Sequence, residues 1–155
     1  MQIIVAPPNH LDLVRHITQR TIAAVYPRYY PAGAVAFFQA HHSDAAIRAD
    51  LEAGRVWLLW DGGEAVGTVT VRDNEICRLF VLPEKQGRGY GRALLDFAEA
   101  KIGEIYGEIV LDASLPAKAI YKKRGYVEGE THASPVDAGQ FLCYDVMRKT
   151  IQTHP

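Results

Sequence analysis

Between Glu75 and Ile102, a strand pattern, a glycine-rich loop and a helix pattern follow one another. The strand pattern ends at Pro83, and Glu108–Ala113 forms another strand pattern after the helix. A strand–helix–strand crossover of this kind indicates an α/β fold. Ligands of such sheets bind beyond the carboxyl ends of strands, where a helix begins. The loop after Leu82 is therefore the first place to look for a functional site.

The rest of the chain surrounds this unit with further helices and strands. The runs Val56–Trp60 and Val66–Val71 are apolar or β-branched, and the Asp61-Gly62-Gly63-Glu64 segment between them predicts a β-hairpin. The other predicted elements are a strand at Ile3–Val5, helices near residues 11–25, 34–41, 43–53 and 116–124, and strands from Tyr126 and over Phe141–Met147. Gly129–Gln140 is predicted to be a polar loop.

Size and charge restrict the classes of protein to which the chain can belong. Its 155 residues, 48% apolar and 23% charged, predict one globular domain over residues 1–155. A net charge of −1 argues against binding to nucleic acid or anionic membrane through overall charge. No apolar run approaches the roughly 18 residues of a membrane span, and no signal peptide is recognisable, so we expect a cytoplasmic protein without membrane partners.

Cysteine and histidine residues are too scattered to predict a metal site. Cys77 and Cys143 lie far apart in apolar stretches, so we expect both to be buried as small hydrophobes. His41 and His42 are adjacent, and neighbours on a helix point in different directions. We therefore expect no bound metal and no disulfide.

The glycine-rich loop has the composition of an anion-binding site. Its sequence is Gln86-Gly87-Arg88-Gly89-Tyr90-Gly91-Arg92. Alternating glycines let a ligand approach the backbone, and the N–H groups at the start of the following helix attract phosphate. The loop matches neither the Walker A motif nor the dinucleotide-binding GxGxxG motif. On the loop alone, a glycine-rich turn with a basic cap is an equally good interpretation.

Two segments, the glycine-rich loop Gln86–Gly91 and residues Ser114 to Tyr126, resemble the GNAT superfamily of N-acetyltransferases. Gln86–Gly91 resembles the Q/R-x-x-G-x-G/A loop of that family and follows a strand that ends in Leu79–Pro83. A second motif, N-x-x-A-x-x-x-Y-x-x-x-G-F/Y, resembles Ser114, Ala117, Tyr121, Gly125 and Tyr126, with serine in the asparagine position. The resemblance extends over nearly the whole chain and is strongest from Glu75 to Tyr126. It implies a single-domain α/β fold with a mixed, mostly antiparallel sheet of six or seven strands flanked by helices.

The same resemblance implies that acetyl-CoA is the co-substrate. The loop residues Gln86, Gly87, Arg88, Gly89, Tyr90, Gly91 and Arg92 would hold its pyrophosphate. Leu79, Phe80 and Val81 would pair with its pantetheine arm, and the Val81 N–H would polarise the thioester oxygen. Ser114 offers a hydroxyl but not both the donor and the acceptor of an amide, so its contact with the cofactor stays open.

Two residues are candidates for the proton transfers of acetylation. An amine with a pKa of about 10.4 must lose a proton before it attacks, at a cost of roughly 5 kcal/mol at neutral pH. By resemblance, Glu75 would act as the base, with a solvated turn residue as the alternative interpretation. Tyr121 would donate a proton to the departing thiolate. Cys77 is rejected as a nucleophile because strand burial would raise its pKa.

The acceptor is expected to bind near the first helices. Five aromatic residues cluster there and would either wall a pocket or pack against the sheet: Tyr26, Tyr29, Tyr30, Phe37 and Phe38. His41 or His42 would supply an additional base. The leading hypothesis is direct acetyl transfer to the primary amine of a small molecule or peptide. A non-catalytic acyl-CoA-binding module and a phosphate-binding protein unrelated to CoA are the alternatives, and a homodimer stays open.

Basic residues concentrate in the two segments assigned to CoA. Lys85, Arg88 and Arg92 lie in the first, and the second contains Lys118, Lys122, Lys123 and Arg124. Seven of the seventeen basic residues thus fall in two stretches without an acidic residue. This predicts a local cationic mouth whose cofactor binding weakens as salt rises.

Overall fold

One seven-stranded sheet forms the centre of the fold in the computed structural model, which describes residues 1–152. The strands are β1 (Gln2–Val5), β2 (Val56–Asp61), β3 (Glu64–Arg72), β4 (Glu75–Val81), β5 (Glu108–Ala113), β6 (Val127–Pro135) and β7 (Phe141–Thr150). Their order is β1-β2-β3-β4-β5-β7-β6, and only β4 and β5 pair in parallel. The predicted mixed, mostly antiparallel sheet is confirmed. Residues 153–155 of the predicted domain lie outside the described residues.

Helices cover both faces of the sheet. They are α1 (Leu11–Val25), α2 (Ala32–His41), α3 (Asp44–Glu52), α4 (Tyr90–Gly103) and α5 (Lys118–Lys123). One hydrophobic core joins α1, α2 and α3 to the sheet, and the other lies under α4. A side chain at Gly67 of β3 would approach Leu94 of α4 to 2.9 Å, so this glycine allows the helix to pack closely on the sheet.

The parallel strands β4 and β5 separate soon after they meet. Within the described residues they pair only at Glu75–Val110 and Ile76–Leu111. A register shift in β4 beside Ile76 adds to this divergence, because Thr70 pairs with Arg78 and Val71 with Ile76. The carboxyl end of β4 therefore has a gap on its β5 side, and this gap positions the site.

Two sequence predictions are wrong near the chain's end. Most of the predicted polar loop Gly129–Gln140 is strand β6, which ends at Pro135. As an edge strand exposed along most of its length, β6 lacks the alternation by which a half-buried strand is recognised. Cys143 is exposed, because its neighbour Leu142 is the β7 residue that turns inward.

Candidate active site

The glycine-rich loop ends in a helix whose first N–H groups lack partners in the helix. Gly87 and Gly89 have φ angles of +77° and +87°, a conformation that favours glycine, and Gly89 caps α4 without a side-chain hydrogen bond. The first α4 bond runs from the N–H of Ala93 to the carbonyl of Gly89. The N–H groups of residues 90–92 therefore point out of the helix end, where its dipole attracts anions.

A cleft of about 780 Å³ extends from this loop along β4 to α5. Ten of the eleven predicted cofactor residues line it: Leu79, Phe80, Val81, Gln86, Gly87, Gly89, Tyr90, Gly91, Arg92 and Ser114. Arg88 does not line the cleft, and the Tyr90 hydroxyl donates to Asp61 at the β2–β3 turn. We call this space the cofactor cleft. Its length and its row of backbone donors suit an extended, phosphorylated ligand.

A second cavity, of about 450 Å³, adjoins the cofactor cleft at the β4–β5 gap. Residues of α2, α3, β4, β5 and β7 line it, and we call it the acceptor cavity. The two spaces share six lining residues, which we call the junction: Tyr26, Leu79, Phe80, Ser114, Ala117 and Tyr121. Groups bound in the two spaces would therefore meet at the junction.

The backbone of β4 presents donors to the gap. Leu82 donates its N–H to Val66 of β3, so alternation along the strand turns the N–H groups of Leu79 and Val81 away from β3. In agreement, the carbonyl of Val81 accepts from the side chains of Gln86 and Thr21. Leu79 lines both spaces, whereas Val81 lines only the cofactor cleft.

Tyr121 brings a phenol hydroxyl to the junction. Its side chain is 8% exposed, and burial raises its pKa well above the usual range. Within residues 1–152 the hydroxyl makes no hydrogen bond. Its oxygen is not fully enclosed by other atoms and keeps some accessible surface. It therefore opens on the space that its ring lines. The predicted proton donor thus lies where the two spaces meet.

Tyr30 of the first helical region holds the loop between β5 and α5. The Tyr30 hydroxyl accepts the Leu115 N–H at 2.7 Å, and burial raises the pKa of Tyr30 to about 12. Tyr26 is buried at the junction, whereas Tyr29 is about half exposed. Among the predicted wall residues, Phe37 and Phe38 both line the acceptor cavity, and Phe38 also packs against Tyr26.

Glu75 lies in the acceptor cavity but away from the junction. Leu79 is four steps along the strand from Glu75, which places the two Cα atoms roughly 13 Å apart. Burial raises the pKa of Glu75, and the nearby Asp112 adds to that increase. Burial likewise raises the pKa of Cys77 to about 11, which agrees with its rejection as a nucleophile.

His42 does not fit the predicted role of an additional base. Its Nδ1 atom accepts a hydrogen bond from the buried Arg78. Burial and the Arg78 charge lower the pKa of His42 to about 3. His41 lines the same cavity and stacks on Phe37.

The predicted cationic mouth is weaker than the sequence indicated. Lys85, Lys118, Lys122 and Arg124 form ion pairs with carboxylates, including Glu64, Glu128, Glu99 and Asp145. Within residues 1–152, Arg88, Arg92 and Lys123 make no ion pair. Because these carboxylates come from other segments, the count of basic residues along the chain overstated the local charge.

Comparison with known proteins gives the family. The family model described as an acetyltransferase (GNAT) domain matches residues 25–139. The chain belongs to the GNAT acetyltransferase family. No curated protein sequence matches it.

Three solved structures share this GNAT fold. A GCN5-related N-acetyltransferase from Rhodopseudomonas palustris is 24% identical, with a TM-score of 0.87 over 97% of this chain and 95% of that one. PaiA N-acetyltransferase from Thermoplasma acidophilum, in complex with coenzyme A, is 16% identical, with a TM-score of 0.72 over 96% and 98%. YncA from Salmonella typhimurium, with its cofactor acetyl-CoA, is 16% identical, with a TM-score of 0.72 over 100% and 96%.

Residues 1–152 contain no group of three or more His, Cys, Asp or Glu side chains arranged to hold a metal ion. Over the same residues, we find no helix with the length and apolar character needed to cross a bilayer.

The sequence of this GNAT acetyltransferase did not reveal a buried ion pair that lines the acceptor cavity. Arg78 and Asp50 are buried there and form an ion pair. The available signal was an arginine inside the apolar run Ile76–Leu82, because a charge in a buried strand requires a partner. The sequence does not identify Asp50 as that partner, since it lies 28 residues away on another element.

Proposed function

We propose that this protein transfers the acetyl group of acetyl-CoA directly to a primary amine bound in the acceptor cavity. The observation that carries the proposal is that the cofactor cleft and the acceptor cavity share the junction residues. An amine that enters from one side would meet a thioester that enters from the other, and a protein-bound acetyl intermediate would not be needed.

The cofactor cleft fits acetyl-CoA, which would supply an activated acetyl thioester. The N–H groups of residues 90–92 and the loop around Gly87 and Gly89 would bind the pyrophosphate. The β4 edge at Leu79 and Val81 would pair with the pantetheine arm as a strand does. Ser114 lines the cleft as well, and it would present its hydroxyl where the family has an asparagine side chain.

We assign polarisation of the thioester oxygen to the N–H of Leu79 rather than Val81. Both donors face the gap, but only Leu79 also lines the acceptor cavity, where the amine would attack. A donor fixed in the backbone stabilises negative charge as it develops and needs no rearrangement during the reaction. Val81 would then serve the pantetheine arm.

Tyr121 would protonate the sulfur as the carbon–sulfur bond breaks and the nitrogen–carbon bond forms. Because burial raises its pKa, the phenol stays protonated throughout the neutral range. Its hydroxyl has no competing partner within residues 1–152. These two properties suit a general acid.

Glu75 would accept the proton that the amine loses, through water. Its distance from Leu79, roughly 13 Å along the strand, is too long for direct transfer at the junction. The raised pKa of Glu75 makes this carboxylate a stronger base than one in solvent.

A panel of primary amines and peptides with acetyl-CoA tests this proposal through two readouts, released thiol and acetylated amine. We expect both products in equal amounts for at least one amine. Calorimetry with acetyl-CoA provides the control, because it reports cofactor binding without transfer. Tight acetyl-CoA binding without product from any amine would contradict the proposal and favour the acyl-CoA-binding module.

A further inference from the structure

A buried arginine at the acceptor cavity is held by three partners from different elements. Arg78 donates from Nε to His42 Nδ1 at 3.2 Å, from Nη1 to Thr70 Oγ1 at 2.9 Å, and from Nη2 to Asp50 Oδ2 at 3.3 Å. Its side chain is 3% exposed. Three hydrogen bonds in a fixed fork leave the guanidinium little freedom to turn.

The contact with Arg78 determines which nitrogen of His42 carries the proton. A guanidinium only donates, so Nδ1 of His42 must accept with its lone pair. In the neutral ring the proton is then on Nε2. Burial and the Arg78 charge keep the pKa of His42 near 3, so the ring stays neutral at physiological pH.

The proton-bearing nitrogen faces the acceptor cavity. His42 lines the cavity, and Nε2 makes no hydrogen bond within residues 1–152. Nε2 is not fully enclosed by other atoms, and the space that His42 lines is the acceptor cavity. The ring packs edge-on against Phe80, a junction residue, with 5.5 Å between ring centroids. A fixed N–H donor therefore lies beside the place where the amine would react.

The charges behind this donor favour an electron-rich partner. Asp50 also accepts from Arg72 at 3.0 Å, so two guanidinium groups share one carboxylate. Arg72 pairs across the strands with Glu75, whose negative charge offsets the second guanidinium. Arg78 remains the cation in direct contact with His42, and its donation to Nδ1 draws electron density from the ring and strengthens Nε2–H as a donor to an oxygen.

We infer that His42 Nε2–H binds a carbonyl or carboxylate oxygen of the acceptor, and that Arg78 positions His42 for this contact. This inference rests on the proposed function. It narrows the acceptor class to small primary amines that carry such an oxygen a few bonds from the nitrogen. Amino-acid amides and amino acids have that chemistry, whereas simple alkylamines lack it.

Two variants of His42 separate the Nε2–H donor from the contact between Nδ1 and Arg78. His42→Asn keeps an acceptor near the Nδ1 position for Arg78 but removes the Nε2–H. His42→Gln keeps an N–H near the Nε2 position. The substrates are amino-acid amides, the matching amino acids and the matching amines in which a methyl group replaces the carboxamide. A loss of activity with the amides indicates a contact with a carbonyl oxygen, and a loss with the amino acids alone indicates a contact with a carboxylate.

We expect His42→Asn to lower kcat/KM for the oxygen-bearing amine by about tenfold, mainly through KM, as for the loss of one buried hydrogen bond. The methyl analogue should change by less than about twofold, and His42→Gln should recover part of the loss. Equal losses on both substrates would overturn the inference, because a structural role has that signature. A wild-type protein that acetylates no amine would overturn the proposed function and this inference together.

Nitrogen-15 NMR of the imidazole tests the positioning role of Arg78 without turnover. Wild type should show the Nε2–H tautomer, and Arg78→Met should show a mixture of tautomers, because Nδ1 loses its donor. Asp50 keeps Arg72 as a partner in that variant, which limits the loss of stability. An Nδ1–H tautomer in wild type would overturn the inference directly.

Discussion

Two neighbouring tyrosines allow the proposed general acid to be tested against a matched control. Tyr121 and Tyr126 lie 5.5 Å apart, ring to ring, and both are buried. Their hydroxyl groups differ in surroundings, because that of Tyr126 donates to Glu99 at 3.1 Å and that of Tyr121 opens on the junction. Phenylalanine substitution removes one oxygen atom in each case, so the two variants separate catalysis from stability.

The structure predicts opposite effects for the two variants. Tyr121→Phe breaks no hydrogen bond within residues 1–152, so the free energy of unfolding should fall by less than about 0.5 kcal/mol. Loss of the general acid should lower kcat by about 10²-fold or more, which corresponds to about 2.7 kcal/mol. Tyr126→Phe breaks a bond to a charged acceptor, at a cost of about 1.5 kcal/mol and about 3–6 °C in Tm, with kcat unchanged.

Thiol release with saturating acetyl-CoA gives kcat, and thermal unfolding gives Tm. Calorimetry with acetyl-CoA should show that Tyr121→Phe still binds the cofactor. A Tyr121→Phe enzyme with kcat within threefold of wild type would refute the assignment of the acid. Equal loss of activity in both variants would show that ring packing, and not the Tyr121 hydroxyl, matters.

Three further predictions concern the base and the cofactor loop. Glu75→Gln should lower kcat at neutral pH and remove the rise of rate with pH, while Tm at neutral pH holds or increases. Burial and Asp112 raise the folded-state pKa of Glu75, so the ionised side chain lowers the free energy of unfolding at neutral pH. A lower Tm of Glu75→Gln at neutral pH would contradict this reasoning. Gly89→Ala forces alanine to φ +87°, at a cost of about 1–2 kcal/mol, and calorimetry should show acetyl-CoA binding about tenfold weaker, whereas unchanged affinity would exclude a role for this turn. Acetyl-CoA binding should weaken as salt rises, with a shallower dependence in Arg92→Gln, and equal slopes would argue against a contact between Arg92 and phosphate.

Local backbone requirements made much of the fold predictable. Gly62 and Gly63 of the hairpin turn both have positive φ angles, as the two-residue turn between β2 and β3 requires. The proline after β4 and the glycines before α4 marked the strand–loop–helix unit in the same way. Each of these signals acts over a few residues, so it is readable without knowledge of the tertiary structure.

The acceptor cavity was less predictable because its residues meet only in the folded chain. His42 and Asp50 lie 36 and 28 residues from Arg78 in sequence, and only their packing on β4 brings them together. The prediction of His42 as a base failed for this reason, since nothing near it in sequence indicates the arginine that occupies Nδ1. Ion pairs from distant segments likewise reduced the predicted cationic mouth.

Initial-rate kinetics with both substrates varied test direct transfer across the junction. Because the two spaces meet there, we expect intersecting double-reciprocal lines, one acetylated amine per CoA released, and no acetyl group left on the protein in intact mass spectra. Parallel lines with an acetylated protein would contradict the account, since they would show that the acetyl group passes through a covalent enzyme intermediate.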